Sequence, residues 1–203
     1  MLIGHFARGK RSPWNNILPI REEFFGDERL AQHAASLAHA QTVAPRQTFG
    51  PSLVRRLKHN ADHLLKAYRN TVVSDALGEQ IMPAAEWLLD NYHLIAEQVR
   101  QVREDLSPRY YRQLPKLDDG PFAGYPRVLG ISWAFVAHTD SRFDPEVLCR
   151  FMLAYQAVAP LTIGELWAVG ITLRIVLIEN LRRLADQITD ERQARLDANA
   201  LAD

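Results

Sequence analysis

The sequence is poor in the features that assign a protein to a class most quickly. Its 203 residues include one cysteine, Cys149, which excludes an internal disulfide framework. Lysine plus arginine and aspartate plus glutamate each number 24, so the formal net charge is zero and no basic surplus indicates nucleic-acid binding. The N-terminal residues lack an apolar segment of signal-peptide length. We therefore predict a reducing, cytoplasmic-side location and a core position for Cys149.

The short motifs of common chemistries are also missing. The sequence contains no glycine-rich phosphate loop, no Gly-x-Ser-x-Gly elbow and no Cys-x-x-Cys pair. What it does contain is a hydrophobic fraction of 47% and a charged fraction of 24%, which is typical of a globular protein with a core. The residues alone therefore assign no catalytic residue, cofactor or metal to this chain.

The stretch 161–188 is predicted to form the central helix. Thr162 and Glu165 have the spacing of a capping box at its start. The apolar residues that follow cover nearly every direction around a helix, which predicts that its first half is buried. Its second half narrows to one apolar stripe, and we expect Arg182 and Arg183 to face water. A membrane span is the rival interpretation, but Glu165 and Arg174 interrupt the apolar run, so no span is expected.

The rest of the chain predicts an all-α, multi-helix bundle around this helix. No strand-like alternation of useful length occurs. Residues 1–20 are predicted to be a mobile or peripheral arm, and residues 21–203 a single helical domain. The charged C-terminal stretch lacks a capping signal, which predicts a fragment of a larger protein. Apolar periodicity and start signals place five further helices at about 27–41, 52–77, 83–107, 128–139 and 145–158.

Residues 107–127 are predicted to form a long ordered loop. Four prolines and two glycines interrupt any long helix there. Tyr110, Tyr111 and Tyr125 are among its aromatic residues, and we expect them to anchor the loop on the helices. Long ordered loops are often functional, so these tyrosines are candidate substrate-binding residues.

Two pairs of polar residues at helical spacing suggest chemistry, each with a plainer alternative. His59 and His63 could share a metal ion, but no third ligand is evident and a solvated helix face is favoured. Glu86 and Asp90 lie one turn apart, and paired carboxylates beside aromatic residues suit glycoside hydrolysis. That chemistry also needs a cleft between the carboxylates, which neighbours on one helix seldom supply.

The densest polar group is the turn that contains His138, Asp140 and Arg142. A hydrogen-bonded turn between helices is the favoured interpretation, and a ligand or interface site is the alternative. These three residues are therefore also candidate binding residues.

Three tryptophans could stack on sugar rings, although each has apolar neighbours that favour core packing. They are Trp87, Trp133 and Trp167.

Long runs of this sequence resemble the N-terminal region of the cyclic β-1,2-glucan synthases. The resemblance covers most of the chain after about Pro19, in order and without large gaps. The runs are PIREEFFGDERLAQHAASLAHAQ (19–41), PAAEWLLDNYHLIAEQVRQVREDLSPRYYRQLPKL (83–117), GPFAGYPRVLGISWAFVAHTDSRFDPE (120–146) and PLTIGELWAVGITLRIVLIENLRRLA (160–185).

The resemblance implies a role inside a very large, multi-domain inner-membrane enzyme that makes cyclic glucan from UDP-glucose. Its catalytic modules and membrane spans would lie C-terminal to the matched region, so no catalytic residue or cofactor is carried over to this chain. The implied function is a non-catalytic scaffold or docking domain on the cytoplasmic side, whose partners are the C-terminal modules of the same enzyme. Two alternatives remain: a glycan-binding module that takes β-1,2-glucan at the Tyr110–Tyr125 loop, and a free-standing glycoside hydrolase that uses Glu86 and Asp90.

Overall fold

The computed structural model describes residues 12–45, 50–78 and 81–202, with side chains described as far as residue 190. These ranges contain seven α-helices, one short 3-10 helix (Pro13–Asn15) and three isolated β-bridges, with no strand among them. The all-α prediction is confirmed. The helices are α1 (Asp27–Ala40), α2 (Leu53–Ala76), α3 (Pro83–Asp105), α4 (Pro108–Gln113), α5 (Arg127–His138), α6 (Pro145–Gln156) and α7 (Ile163–Ala202).

Local capping signals fix where several helices begin. The Ser52 hydroxyl accepts a hydrogen bond from the Arg55 backbone N–H at the start of α2 (3.3 Å), and the Asp144 carboxylate accepts two from the first turn of α6. At α7 the Thr162 hydroxyl accepts from the Glu165 N–H (3.2 Å), while the Glu165 carboxylate accepts from the Thr162 N–H (2.9 Å). The capping box read from the sequence is therefore present in both directions.

Helix α7 contacts more of the molecule than any other described helix, because α2, α3 and α5 all pack against it. Its inward side chains Ala168, Ile175 and Val176 are fully buried. A second group of contacts joins α1 to α6 and, less extensively, to α5. The chain thus folds around α7, and α5 connects the two groups of helices.

The described part of the N-terminal arm, residues 12–20, lies against these helices. The Trp14 indole meets the rings of Tyr125 and Trp133 edge-on, with ring centroids 5.6 and 5.5 Å apart. Ile20 is buried, and its backbone N–H donates to the Asn180 side chain of α7 (2.6 Å). Residues 1–11 of the predicted arm lie outside the described residues.

The prediction of a loop over residues 107–127 is wrong for its first third, where a short helix forms. Ser107 and Pro108 start a short helix there, because proline suits the first helical position and the Ser107 hydroxyl accepts from the Tyr110 N–H (3.3 Å). The buried Lys116 ammonium donates to backbone carbonyls at the end of this helix. The remainder, from Leu114 to Pro126, is irregular and is held by hydrogen bonds to the segment that follows α1.

Three other predictions about burial and length are also wrong. Arg182 and Arg183 were expected to face water, yet both are buried because they share the carboxylate of Glu179. Cys149 was expected in the core and is exposed, since α6 turns its apolar face, with Phe151 buried, towards α1. Helix α7 continues to Ala202 rather than ending near residue 188.

Within the described ranges, no helix is both long enough and sufficiently apolar to cross a membrane.

Candidate docking surface

The polar turn after α5 does not form a single site. His138 points inward, where its Nδ1 lies 2.7 Å from the Glu23 carbonyl oxygen and its Nε2 lies 3.3 Å from a carboxylate oxygen of Glu22. Its ring stacks on Phe25 with centroids 4.0 Å apart. The imidazole therefore fastens the segment before α1 to the end of α5.

The other two residues of that group point elsewhere. Asp140 is exposed, has a left-handed backbone conformation (φ 53°) and pairs with Arg21 at 3.2 Å. Arg142 is also exposed. His138, Asp140 and Arg142 are thus adjacent in sequence but do not surround a common ligand volume.

The three candidate tyrosines use their hydroxyls for contacts within the chain. Tyr110 and Tyr111 donate to backbone carbonyls, and Tyr125 accepts from an indole N–H. The partners are Gly164 (2.5 Å), Pro51 (2.5 Å) and Trp14 (2.6 Å), respectively. Burial raises the pKa of Tyr110 and Tyr111, because the ionised phenolate is disfavoured away from water.

The paired carboxylates and the paired histidines both lie on exposed or partly exposed helix faces. Glu86 and Asp90 are exposed on α3, and neither lines the groove beside them. The His59 and His63 rings lie 4.3 Å apart on α2. Among the described residues, no three His, Cys, Asp or Glu side chains come together as metal ligands.

A buried ionic cluster holds the middle of α7 against α2. The Glu179 carboxylate accepts from Arg56 (2.8 Å), from Arg183 (2.8 Å), from Arg182 (3.2 Å) and from the Asn60 amide (2.9 Å). Burial alone would raise the pKa of Glu179, but the hydrogen bonds from Arg56 and Arg183 outweigh it and lower the pKa to about 2. The carboxylate is therefore ionised at neutral pH and is the counter-ion that the three guanidinium groups share.

Arg183 extends this cluster to the N-terminal segment. Its guanidinium donates to the backbone carbonyls of Pro13 (2.8 Å) and Leu18 (2.9 Å) and lies over the Trp133 ring at 5.1 Å. A second buried pair, Arg127 with Glu165, fixes the start of α7 to the start of α5. Two separate buried ionic contacts thus hold α7 against α2 and α5.

An apolar groove opens between α2, α3 and α7. It has a volume of about 250 Å³, and its lining is almost entirely apolar. Trp87 of α3 forms part of one wall and is 50% exposed, whereas the sequence favoured a core position for it. Leu88 lies beside it on α3, and the other walls include Ala67 of α2 and Leu184 and Ile188 of α7.

A second apolar surface lies on the first two turns of α7. Ile163 is 74% exposed, Trp167 is 77% exposed and Leu166 lies beside them, partly exposed. Gly170 is also exposed one turn further on. The prediction that the first half of α7 is buried is wrong for this side of the helix, and so is the core position expected for Trp167.

The sequence did carry a signal for this surface. Residues 163, 166, 167 and 170 have the spacing i, i+3, i+4 and i+7, which defines one face of a helix. The signal was hidden because apolar residues occupy every other direction of the same segment.

Trp133 differs from the exposed Trp87 and Trp167, since it is partly buried against Trp14 and Phe122.

The chain is similar in sequence to a curated protein. No family model matches the chain. A curated protein, the cyclic beta-(1,2)-glucan synthase NdvB of Rhizobium meliloti (strain 1021), is 40% identical to it over 184 residues. That alignment covers 91% of this chain and 6% of the relative, so the chain spans a small part of the length of the protein that it matches. The resemblance predicted from the sequence is confirmed, and the chain is homologous to a short segment of a cyclic β-(1,2)-glucan synthase.

Proposed function

We propose that this chain is a non-catalytic docking domain of a cyclic β-(1,2)-glucan synthase-like enzyme. The observation that carries the proposal is the exposure of Trp87 and Trp167 on apolar surfaces. Large exposed apolar patches are uncommon on monomers and usually mark interaction sites. In this proposal the two surfaces are covered by other parts of the same enzyme, on the cytoplasmic side of the membrane.

The buried ionic contacts support a scaffold role over a catalytic one. Glu179 and Glu165 are fully buried, and each is bound by arginine. A catalytic carboxylate must reach the reacting atoms of a substrate. These two carboxylates instead hold α7 against α2 and α5, which gives the exposed Trp167 of α7 a fixed position.

Two measurements test the proposal. The purified chain, incubated with UDP-glucose, is expected to release no UDP and form no glucan; glucose transfer by the chain alone would contradict a non-catalytic role. The tagged chain is also expected to bind, in detergent, a form of the R. meliloti synthase that lacks the matched segment. If that truncated synthase does not bind the chain, the docking proposal fails.

Glycan binding is a second candidate because exposed indole rings can stack on sugar rings. Trp167 offers such a face, whereas Tyr110, Tyr111 and Tyr125 use their hydroxyls for hydrogen bonds within the chain. Calorimetric titration with β-1,2-glucan oligosaccharides separates the two functions. Heat of binding that is lost in Trp167→Ala would favour a glycan-binding module, and the absence of heat up to millimolar glucan would remove that candidate.

A further inference from the structure

The exposed face of α7 has the composition and geometry of a helix-packing surface. Ile163, Leu166, Trp167 and Gly170 form one continuous stripe at the spacing by which helices contact each other. Three of these residues are apolar and exposed although the opposite side of the same turns is buried in this chain. We call this stripe the 163–170 face.

Gly170 provides an independent observation on the same face. A glycine inside a helix lowers helix stability relative to alanine, so it usually has a local reason. Here the chain itself supplies none: Gly170 lies in the interior of α7, and an added Cβ atom would meet no atom within 4 Å apart from its chain neighbours and the adjacent backbone of its own helix. Where two helices pack, a small residue lets their backbones approach closely, and a glycine at this position would allow that.

Both ends of the 163–170 face are fixed by polar contacts. The Gly164 carbonyl accepts a hydrogen bond from the Tyr110 hydroxyl (2.5 Å). One turn after Gly170, Arg174 donates to Asp105 (3.0 Å) and Gln101 (3.3 Å) of α3. The apolar stripe is therefore held in place and bordered by polar groups, like the rim of an interface.

We propose that the 163–170 face binds an apolar α-helix from another part of the same long polypeptide, whose backbone approaches α7 most closely at Gly170. The proposal rests on the docking function proposed above and names the surface and the chemistry of its occupant. The matched relative supports it, because 184 aligned residues make up 6% of that protein and most of its length lies elsewhere.

The size of the face favours a tethered helix over a second copy of this chain. A stable complex of separate molecules buries about 800 Å² on each partner. A fully buried aromatic side chain contributes about 150–250 Å², so one tryptophan and two aliphatic residues fall short of that area. A helix of the same polypeptide needs less contact area, because the connecting chain keeps it at an effective concentration of about millimolar. When the two parts are separate molecules, binding is therefore expected only if one of them is raised to about that concentration.

Two substitutions test the face without disturbing the core of the domain. Trp167→Glu places a charge on the stripe, and Gly170→Leu fills the space that the partner backbone needs. Leu153→Glu is the matched control, because Leu153 is 61% exposed on α6 and lies outside the stripe. Thermal unfolding of each variant is measured first, and Gly170→Leu is expected to unfold at a temperature no lower than wild type.

Binding is then measured by titrating each tagged variant, up to about millimolar concentration, into the R. meliloti synthase that lacks the matched segment. Wild type and Leu153→Glu are expected to bind equally, and Trp167→Glu and Gly170→Leu to bind about 30-fold or more weakly, as for the loss of an interface anchor. Wild-type binding that neither variant weakens would overturn the proposed face and leave the docking function intact. No binding by wild type would overturn the docking function itself.

Sedimentation of the chain alone tests the choice of occupant. The chain is expected to be monomeric at micromolar concentration. A dimer that Trp167→Glu dissociates would overturn the tethered helix in favour of a second copy.

Discussion

Glu179 and Arg183 form a 2.8 Å ion pair although both side chains are buried from solvent. They lie one turn apart on α7, and their remaining polar atoms reach α2 and the N-terminal segment. Arg56 donates to both oxygens of the Glu179 carboxylate, and Arg183 donates to the backbone carbonyls of Pro13 and Leu18. One local pair therefore links three parts of the chain that are distant in sequence.

Replacing Glu179 by glutamine is expected to destabilise the domain strongly. Removing the charge leaves Arg56, Arg182 and Arg183 without their shared counter-ion, and breaking a buried pair in this way costs about 3–5 kcal/mol. Urea unfolding measures the change. Glu97→Gln is the control: Glu97 pairs with Arg100 on the exposed face of α3, so its loss is expected to cost less than about 1 kcal/mol. Equal unfolding midpoints for the two variants would show that the buried cluster contributes no more than a surface pair.

The same carboxylate predicts how stability depends on pH. The pKa of Glu179 falls from an ordinary value of 4.5 to about 2 on folding. Between these values the unfolded state binds more protons than the folded state. The stabilisation that ionised Glu179 provides is therefore complete above about pH 4.5 and is lost as the pH falls towards 2. Since one pKa unit corresponds to about 1.4 kcal/mol, the contribution is about 3 kcal/mol. Urea unfolding from pH 6 to pH 3 should therefore show a steeper loss in wild type than in Glu179→Gln, and parallel profiles would contradict this role.

The cap of α7 gives a smaller and more local prediction. Thr162→Ala removes the hydroxyl that accepts from the Glu165 N–H, and loss of such a cap costs about 1 kcal/mol. Thr189→Ala on the same helix is the control. Its exposed hydroxyl only bonds back to the Ala185 carbonyl, and alanine has the higher helix propensity, so a change within about 0.5 kcal/mol is expected. Thermal unfolding of both variants distinguishes the cap from a general effect of removing threonine.

The helices could be predicted from the sequence because their signals are local. Ser52, Thr162 and Asp144-Pro145 each combine a capping side chain or a proline with an apolar periodicity, and each helix begins where those residues lie. The short helix α4 was missed because proline was interpreted only as an interruption. At Pro108 it instead occupies the first helical turn, where it is favourable.

The environment of individual side chains could not be predicted in the same way. Arg182 and Arg183 lie next to an apolar stripe, so periodicity alone assigns them to water. Their burial depends on Arg56, on Asn60 and on the N-terminal segment, which are more than a hundred residues away in sequence. Trp167 shows the converse limit: an apolar residue in an apolar helix indicates contact with something, but the sequence does not say whether that partner lies in the same 203 residues.

Replacing Gly170 or Gly124 by alanine is expected to change the free energy of unfolding in opposite directions. Gly170→Ala is expected to stabilise the isolated chain by about 0.5–1 kcal/mol, because its Cβ enters open space and alanine is the better helix former. Gly124→Ala is expected to destabilise it by at least about 1 kcal/mol, because Gly124 has a φ of +80°, which is strained for any residue with a Cβ atom. Urea unfolding of the two variants tests both signs together. A loss of stability in Gly170→Ala would mean that the glycine is required within this chain, and the argument that its space is kept for a partner helix would then fail.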